Sequence, residues 1–218
     1  MARLLHISSS PRGPRSESLP IAETFLSELG RHRPDIEVET WDLWDGSLPP
    51  FDAEAAAGKY AVFAGAEHSA SQAAAWSKVR ATFDRFVAAD YYLFTVPMWN
   101  HGVPYVLKQL IDVVSQPGLL YSFDSVTGYS SLVPPGKHAV VVYTSGVYGD
   151  DRGREFGVDF QRPYFDDWLR WAGIEQLGSV TFRPNLAVAD PEPGRQAAHR
   201  QAAALARVLA VDDTRKAS

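Results

Sequence analysis

The segment after the first apolar run carries the hydroxyl groups best spaced for chemistry. Residues 8–18 read Ser-Ser-Ser-Pro-Arg-Gly-Pro-Arg-Ser-Glu-Ser and lead into a predicted helix that begins at Ser16 or Ser18. Free N–H groups and the helix dipole favour an anion at a helix N-terminus, and the hydroxyls of Ser10, Ser16 and Ser18 add donors for a phosphate. Because the G-x-G-x-x-G and P-loop patterns are absent, the segment suits a single terminal phosphomonoester. The alternative is that these serines only cap the helix and shape the turn.

A second unusual segment follows the continuously apolar run at residues 91–96. It places a methionine, a large aromatic residue and an amide side by side, as Pro97, Met98, Trp99, Asn100 and His101. A planar cofactor needs a flat apolar wall with backbone N–H groups near its polar edge, and this segment could supply both. A packed surface turn is the alternative interpretation.

A third segment follows the apolar run at residues 139–143 in the same way. It consists mainly of small residues, Thr144, Ser145, Gly146 and Val147. Small residues let the edge of a ring approach the backbone closely. Taken alone, the segment could equally be a flexible loop.

The rest of the sequence predicts the elements that position these segments. Short apolar runs indicate five strands, at residues 3–7, 36–41, 91–96, 139–143 and 179–182. Because amphipathic helices separate them, we expect an α/β fold with a doubly wound five-stranded parallel sheet and helices on both faces. The second strand is half polar, which is typical of a sheet edge. All three segments follow a strand, and ligands of such sheets bind at the carboxyl ends of strands, near the point where strand order reverses.

The domain organisation is simple. We expect one domain over residues 1–210 and a polar tail at 211–218. Residues 52–70 are rich in alanine and lack a clear period, so they are expected to form an insertion rather than a domain boundary.

The composition excludes several function classes. The 218 residues contain no cysteine, so redox chemistry would require an organic cofactor. A net charge of −5 without a basic stripe argues against nucleic acid. No apolar stretch suits a membrane span or a signal peptide, so a cytoplasmic location is expected. The histidines lack metal-ligand spacing, no G-x-S-x-G elbow is present, and the acidic pairs at 150–151 and 166–167 are expected at a solvated surface.

At its three unusual segments the chain resembles the FMN-dependent NADH:quinone oxidoreductases, also called FMN-dependent NADH azoreductases, of the flavodoxin-like fold. The resemblance runs from Arg3 to about residue 209 and includes Tyr121-Ser122-Phe123. It implies that the FMN phosphate is held by Ser10, Ser16, Glu17 and Ser18. It implies that the isoalloxazine is lined by Pro97, Met98, Trp99, Asn100 and His101, and by Thr144, Ser145, Gly146 and Val147. It further implies that Phe123 contacts substrate, and that the protein is a homodimer with active sites at the interface.

The chain departs from the family pattern at three positions. Glu17 stands where the family often has a neutral amide, and a carboxylate there would repel a phosphate unless its side chain turns away. Arg12 and Arg15 could offset this charge. His101 replaces an apolar aromatic residue, and Val147 replaces a glycine, which could shift the substrate preference.

The resemblance implies an activity. Two electrons would pass from NADH or NADPH through FMN to a quinone or an azo compound, by a ping-pong mechanism. No catalytic acid or base is obligatory, although His101 could donate a proton. The alternatives are a flavodoxin-like electron carrier, an NAD(P)H:FMN or chromate reductase, and a flavin-free binding protein. The chain length and aromatic segments favour an enclosed substrate site over the exposed flavin edge of a carrier.

Overall fold

The computed structural model describes residues 2–216 of the chain as alternating strands and helices. In chain order these are β1 (Arg3–Ser8), α1 (Ser18–His32), β2 (Glu37–Asp42), α2 (Ala53–Ala64), α3 (Ala70–Val87), β3 (Tyr91–Pro97), α4 (Tyr105–Val114), β4 (Tyr121–Asp124), β5 (Gly128–Ser131), β6 (His138–Thr144), α5 (Arg162–Ala172), β7 (Glu175–Phe182) and α6 (Glu192–Lys216).

The main sheet has five parallel strands in the order β2-β1-β3-β6-β7. The chain therefore builds outward from β1 to β2, then returns to the other side of β1 and continues through β3. This reversal brings the carboxyl ends of β1 and β3 together, with Ser8 opposite Thr95. The predicted flavodoxin-like α/β fold is confirmed, and the half-polar β2 lies at the edge, as its pattern indicates.

The sheet separates two apolar layers, which explains why its central strands have no polar face. Leu93 of β3 and Val140 of β6 pack against α1 and α6, whereas Phe94 and Val141, one position on, pack against α3, α4 and α5. Successive side chains of a strand point to opposite faces, so both strands need apolar residues at every position. Helices on both faces are the direct consequence.

Residues 52–70 contain a helix that the sequence analysis did not predict. This helix is α2, whose N-cap Asp52 accepts a hydrogen bond from the Ala55 N–H at 3.0 Å. Gly65 ends the helix in a left-handed conformation, and Gly58 lets α2 approach Trp76 of α3. Alanine favours helix without marking an apolar face, so the periodicity was uninformative.

Three further elements differ from expectation. The strands β4 and β5 form an antiparallel hairpin that the sequence analysis did not predict. Strand β7 begins at Glu175, four residues before the predicted start at Ser179. Helix α6 continues to Lys216, past the tail boundary expected after residue 210, while residues 217–218 lie outside the described chain. None of the helices within residues 2–216 combines the length and apolar character needed to cross a bilayer.

Candidate cofactor-binding site

The three unusual segments meet in one cleft of about 550 Å³ at the carboxyl edge of the sheet. The register of β3 and β6 sets Pro97 opposite Thr144, so the second and third segments are neighbours. Twelve of the predicted cofactor-binding residues line the cleft: Ser10, Ser16, Glu17, Pro97, Met98, Trp99, Asn100, His101, Thr144, Ser145, Gly146 and Val147. The sequence therefore identified the residues of a real cavity.

The first segment forms an open helix N-terminus. Residues Gly13–Arg15 make a single 3-10 turn that delivers the chain to α1, whose N-cap residue Glu17 makes no side-chain cap hydrogen bond. The hydroxyls of Ser16 and Ser18 instead bond to each other at 3.0 Å. Ser18 is buried behind the cleft and does not line it, so its visible role is to hold Ser16. The serines therefore do not act as helix caps, although the Ser16 N–H does close the 3-10 turn onto the Gly13 carbonyl at 2.9 Å.

Glu17 is paired rather than free. Arg195 of α6 donates from Nε to Oε2 and from Nη2 to Oε1 of this carboxylate, both at 3.2 Å. The hydrogen bonds to Glu17 and Glu192 raise the pKa of Arg195. Within the described residues, the ion pair of Glu17 is therefore made with Arg195 and not with the nearby Arg12 or Arg15 that sequence reasoning considered.

The second segment is a tight and unusual turn. Trp99 and Gly102 exchange backbone hydrogen bonds at 2.9 Å, and the two residues between them, Asn100 and His101, have φ of 48° and 70°. Two consecutive non-glycine residues in the left-handed region are uncommon, and such backbone strain concentrates at functional sites. Trp44, which follows β2, donates to the Ser9 carbonyl at 3.0 Å and lies 6.4 Å from the Trp99 ring. It ties the first segment to the second.

His101 is held by a segment that sequence reasoning did not connect to the site. The Val158 N–H donates to its Nδ1 at 3.2 Å, and the Phe160 N–H donates to its carbonyl at 2.9 Å. A neutral His101 must therefore carry its proton on Nε2. The neighbouring Gly157 has φ of 111°, and a Cβ there would lie 2.7 Å from the His101 ring.

Replacing Gly157 by alanine should strain this contact. Its φ of 111° and ψ of 179° lie in a region that only glycine adopts readily. We expect Gly157→Ala to lower the free energy of unfolding by about 1–3 kcal/mol, measured by denaturant titration. The matched control is Gly153→Ala, where φ is −66° and the added Cβ would meet the movable carboxylate of Glu155. Equal effects of the two substitutions would contradict the argument.

The third segment packs against the chain that leaves β7. The Ser145 N–H donates to the Phe182 carbonyl at 3.3 Å, and the Leu186 N–H donates to the Gly146 carbonyl at 3.0 Å. A Cβ on Gly146 would lie 3.2 Å from Leu186, so the glycine permits this approach. Sequence reasoning missed this wall, although residues 185–186 also follow the carboxyl end of a strand.

A buried arginine joins the outer loops of the cleft. Arg183 is 1% exposed and donates to Asp150 and Asp159, each at 2.7 Å. Asp159 also accepts the backbone N–H groups of Gln161 and Arg162 at the start of α5. Burial alone would lower the pKa of Arg183, but the two carboxylates outweigh it and raise that pKa.

Two acidic residues that were expected at a solvated surface also make specific contacts. Asp150 pairs with Arg183, and Asp166 accepts a hydrogen bond from the hydroxyl of Tyr143 at 2.6 Å. Asp150 is 59% exposed, as expected, and Asp166 is 30% exposed. Their partners lie 33 and 23 residues away, so local sequence patterns cannot identify them.

Phe123 does not line the cleft of this chain. It lies in β4, 56% exposed, with its ring 4.9 Å from that of Tyr129 on β5. Its predicted contact with substrate therefore stays a prediction.

Sequence comparison decides the family. A model of the family described as flavodoxin-like fold matches residues 2–206. An FMN-dependent NADH:quinone oxidoreductase from Ruegeria pomeroyi is 40% identical, over 89% of this chain and 95% of that protein. An FMN-dependent NADH:quinone oxidoreductase 2 from Pseudomonas syringae pv. tomato is 44% identical, over 84% and 87% respectively. The chain belongs to the FMN-dependent NADH:quinone oxidoreductase family. The resemblance indicated by its three segments is confirmed.

Solved structures agree with this assignment at the level of fold. An azoreductase from Bacillus anthracis has a TM-score of 0.84 at 22% identity, covering 94% of this chain and 99% of that one. An FMN-dependent NADH-azoreductase of the same species, solved with FMN, also has a TM-score of 0.84, at 21% identity and covering 96% and 100%. At identities of 21% and 22%, the likeness to these two structures shows the shared fold alone.

Proposed function

We propose that this protein is an enzyme that binds FMN in the cleft and transfers two electrons from NADH or NADPH to a quinone or an azo compound. The observation that carries the proposal is the meeting of an uncapped helix N-terminus with two wall-forming loops in one cavity of about 550 Å³. The names of relatives at 40% and 44% identity support the quinone acceptor. The azo acceptor is supported by the names of proteins that share the fold.

The helix end of the cleft fits the phosphate of FMN. Its donors are the hydroxyls of Ser10 and Ser16 and the first N–H groups of α1, while Ser18 holds Ser16 in place. This small set of polar donors suits a single phosphomonoester, and Arg12, which also lines the cleft, adds a positive charge.

The opposite end fits the isoalloxazine, which would supply the two-electron chemistry when bound. Trp99 is 42% exposed and presents an aromatic surface, with the centre of the Trp44 ring 6.4 Å from that of its own ring. Among the described residues, the Ser145 N–H is already engaged with Phe182, so the N–H groups of Gly146 and Val147 are the ones that can face a polar ring edge. Such donors stabilise negative charge without reorganising. His101, which also lines the cleft, could donate a proton from Nε2.

A homodimer is also part of the proposal. Phe123 does not line the cleft of its own chain, whereas a second copy could bring this residue to the rim. Exposed large aromatic side chains on α2, α4 and the hairpin give such a copy an apolar surface, namely Tyr60, Phe63, Tyr105, Phe123 and Tyr129. We place the protein in the cytoplasm, where its nicotinamide donor is found.

Initial-rate kinetics test the proposed activity. We expect NADH-dependent reduction of a benzoquinone that requires added FMN, with parallel double-reciprocal lines when both substrates are varied, because donor and acceptor use one cleft in turn. Intersecting lines would contradict the ping-pong order. Bound FMN without turnover with any quinone or azo dye would favour an electron carrier. Turnover confined to free FMN or chromate would favour the related reductases.

A further inference from the structure

Glu17 poses an electrostatic problem within the proposed phosphate site. It is the N-cap residue of α1, it lines the cleft, and its side chain is 25% exposed. A phosphomonoester near neutral pH carries between one and two negative charges. A free carboxylate in the same loop would repel it, so something must hold and offset Glu17 if the loop is to bind FMN.

Arg195 has the geometry to do this. It lies near the start of α6, 178 residues from Glu17, and reaches both carboxylate oxygens through Nε and Nη2 at 3.2 Å. A fork of this kind fixes the orientation of the carboxylate as well as offsetting its charge. The side chain of Glu17 therefore pairs with α6, while its backbone remains part of the first segment.

The guanidinium of Arg195 is itself held by two more contacts. Its Nη1 donates to Glu192 at 2.6 Å, and its Cζ lies 5.6 Å from the centre of the Phe182 ring. Phe182 ends β7, and a Cβ on Gly194 would lie 3.2 Å from that ring. These contacts hold the guanidinium of Arg195 against α6 and the end of β7.

We propose that Arg195 is a positioning residue of the phosphate site, which holds and neutralises Glu17 so that the first segment can accept the phosphate of FMN. The inference rests on the proposed function. It makes a specific distinction between ligands, because riboflavin carries the same ring system without the phosphate. Loss of Arg195 weakens FMN binding and spares riboflavin binding.

Ligand titration of matched variants tests the proposal. Quenching of flavin fluorescence gives dissociation constants for FMN and riboflavin with the native protein, Arg195→Gln, Glu17→Gln and the double variant. We expect Arg195→Gln to weaken FMN binding about tenfold, as an unscreened charge near the phosphate would, and to change riboflavin binding less than twofold. Removing the carboxylate in the double variant restores FMN affinity. Arg200→Gln removes the same charge from an exposed position on α6 and leaves both ligands unaffected.

The outcomes separate this inference from the proposed function. Native FMN affinity in Arg195→Gln overturns the inference, as does an equal loss of FMN and riboflavin binding that Glu17→Gln does not rescue, since that pattern marks a general packing defect. If the native protein binds neither flavin, the proposed function itself fails, and the inference fails with it.

Discussion

Replacing Arg183 by methionine is expected to lower the free energy of unfolding by about 3 kcal/mol, because removing one partner of a buried ion pair leaves an uncompensated charge. Arg183 is 1% exposed, and Asp159, which would lose its partner, is 13% exposed. Methionine preserves much of the side-chain volume, so the loss of charge pairing dominates the effect. Denaturant titration followed by circular dichroism measures it.

The two carboxylates provide the control. Asp150→Asn weakens the same network at a side chain that is 59% exposed, and we expect it to cost at most about 1 kcal/mol. Asp159→Asn should cost clearly more, because Asp159 is nearly buried and also accepts the backbone N–H groups of Gln161 and Arg162 at the start of α5. If Arg183→Met is as stable as the native protein, the network does not hold the loops of the cleft.

Acid is expected to destabilise the protein through His6. This residue lies in β1, and burial lowers its pKa from 6.5 to about 4. The folded protein thus binds fewer protons than the unfolded chain between these values, so stability is lost as the pH falls from about 6.5 towards 4. A shift of this size corresponds to about 3 kcal/mol, since each pKa unit is worth about 1.4 kcal/mol. Glu23 and Asp42 border the same small cavity and would reduce the loss.

The His6 prediction is tested by the slope of unfolding free energy against pH. Replacing His6 by glutamine should flatten the slope between about pH 6.5 and 4, whatever its effect at neutral pH. An unchanged slope in His6→Gln would show that other groups govern acid unfolding.

The sequence predicted those parts of the fold whose signals are local. The buried strands β3 and β6 show as continuous apolar runs, and the site segments follow directly after strands, so the sheet topology brings them together. Helix α2 was missed because its alanines carry no period, although Asp52 and Gly65 were readable helix signals. The hairpin was missed although Asp124 accepts the N–H groups of Val126 and Thr127 in a recognisable turn.

The missing parts of the site depend on contacts between distant residues. Nothing near Glu17 indicates that its partner is Arg195, and nothing near Asp150 indicates that a buried arginine follows β7. Such pairs arise only after the helices and strands have packed, so a local pattern cannot identify them. The sequence predicted which polar residues line the site, but it did not predict which ion pairs offset their charges.

The visible absorption spectrum of the protein tests the central claim most directly. The purified protein would be mixed with FMN, freed of excess cofactor, and then given NADH without oxygen. We expect a retained flavin spectrum that NADH bleaches, followed by recovery of the spectrum when a quinone is added. Retained flavin that NADH cannot bleach would contradict the proposed electron transfer, and a colourless protein would contradict the assignment of the cleft to FMN.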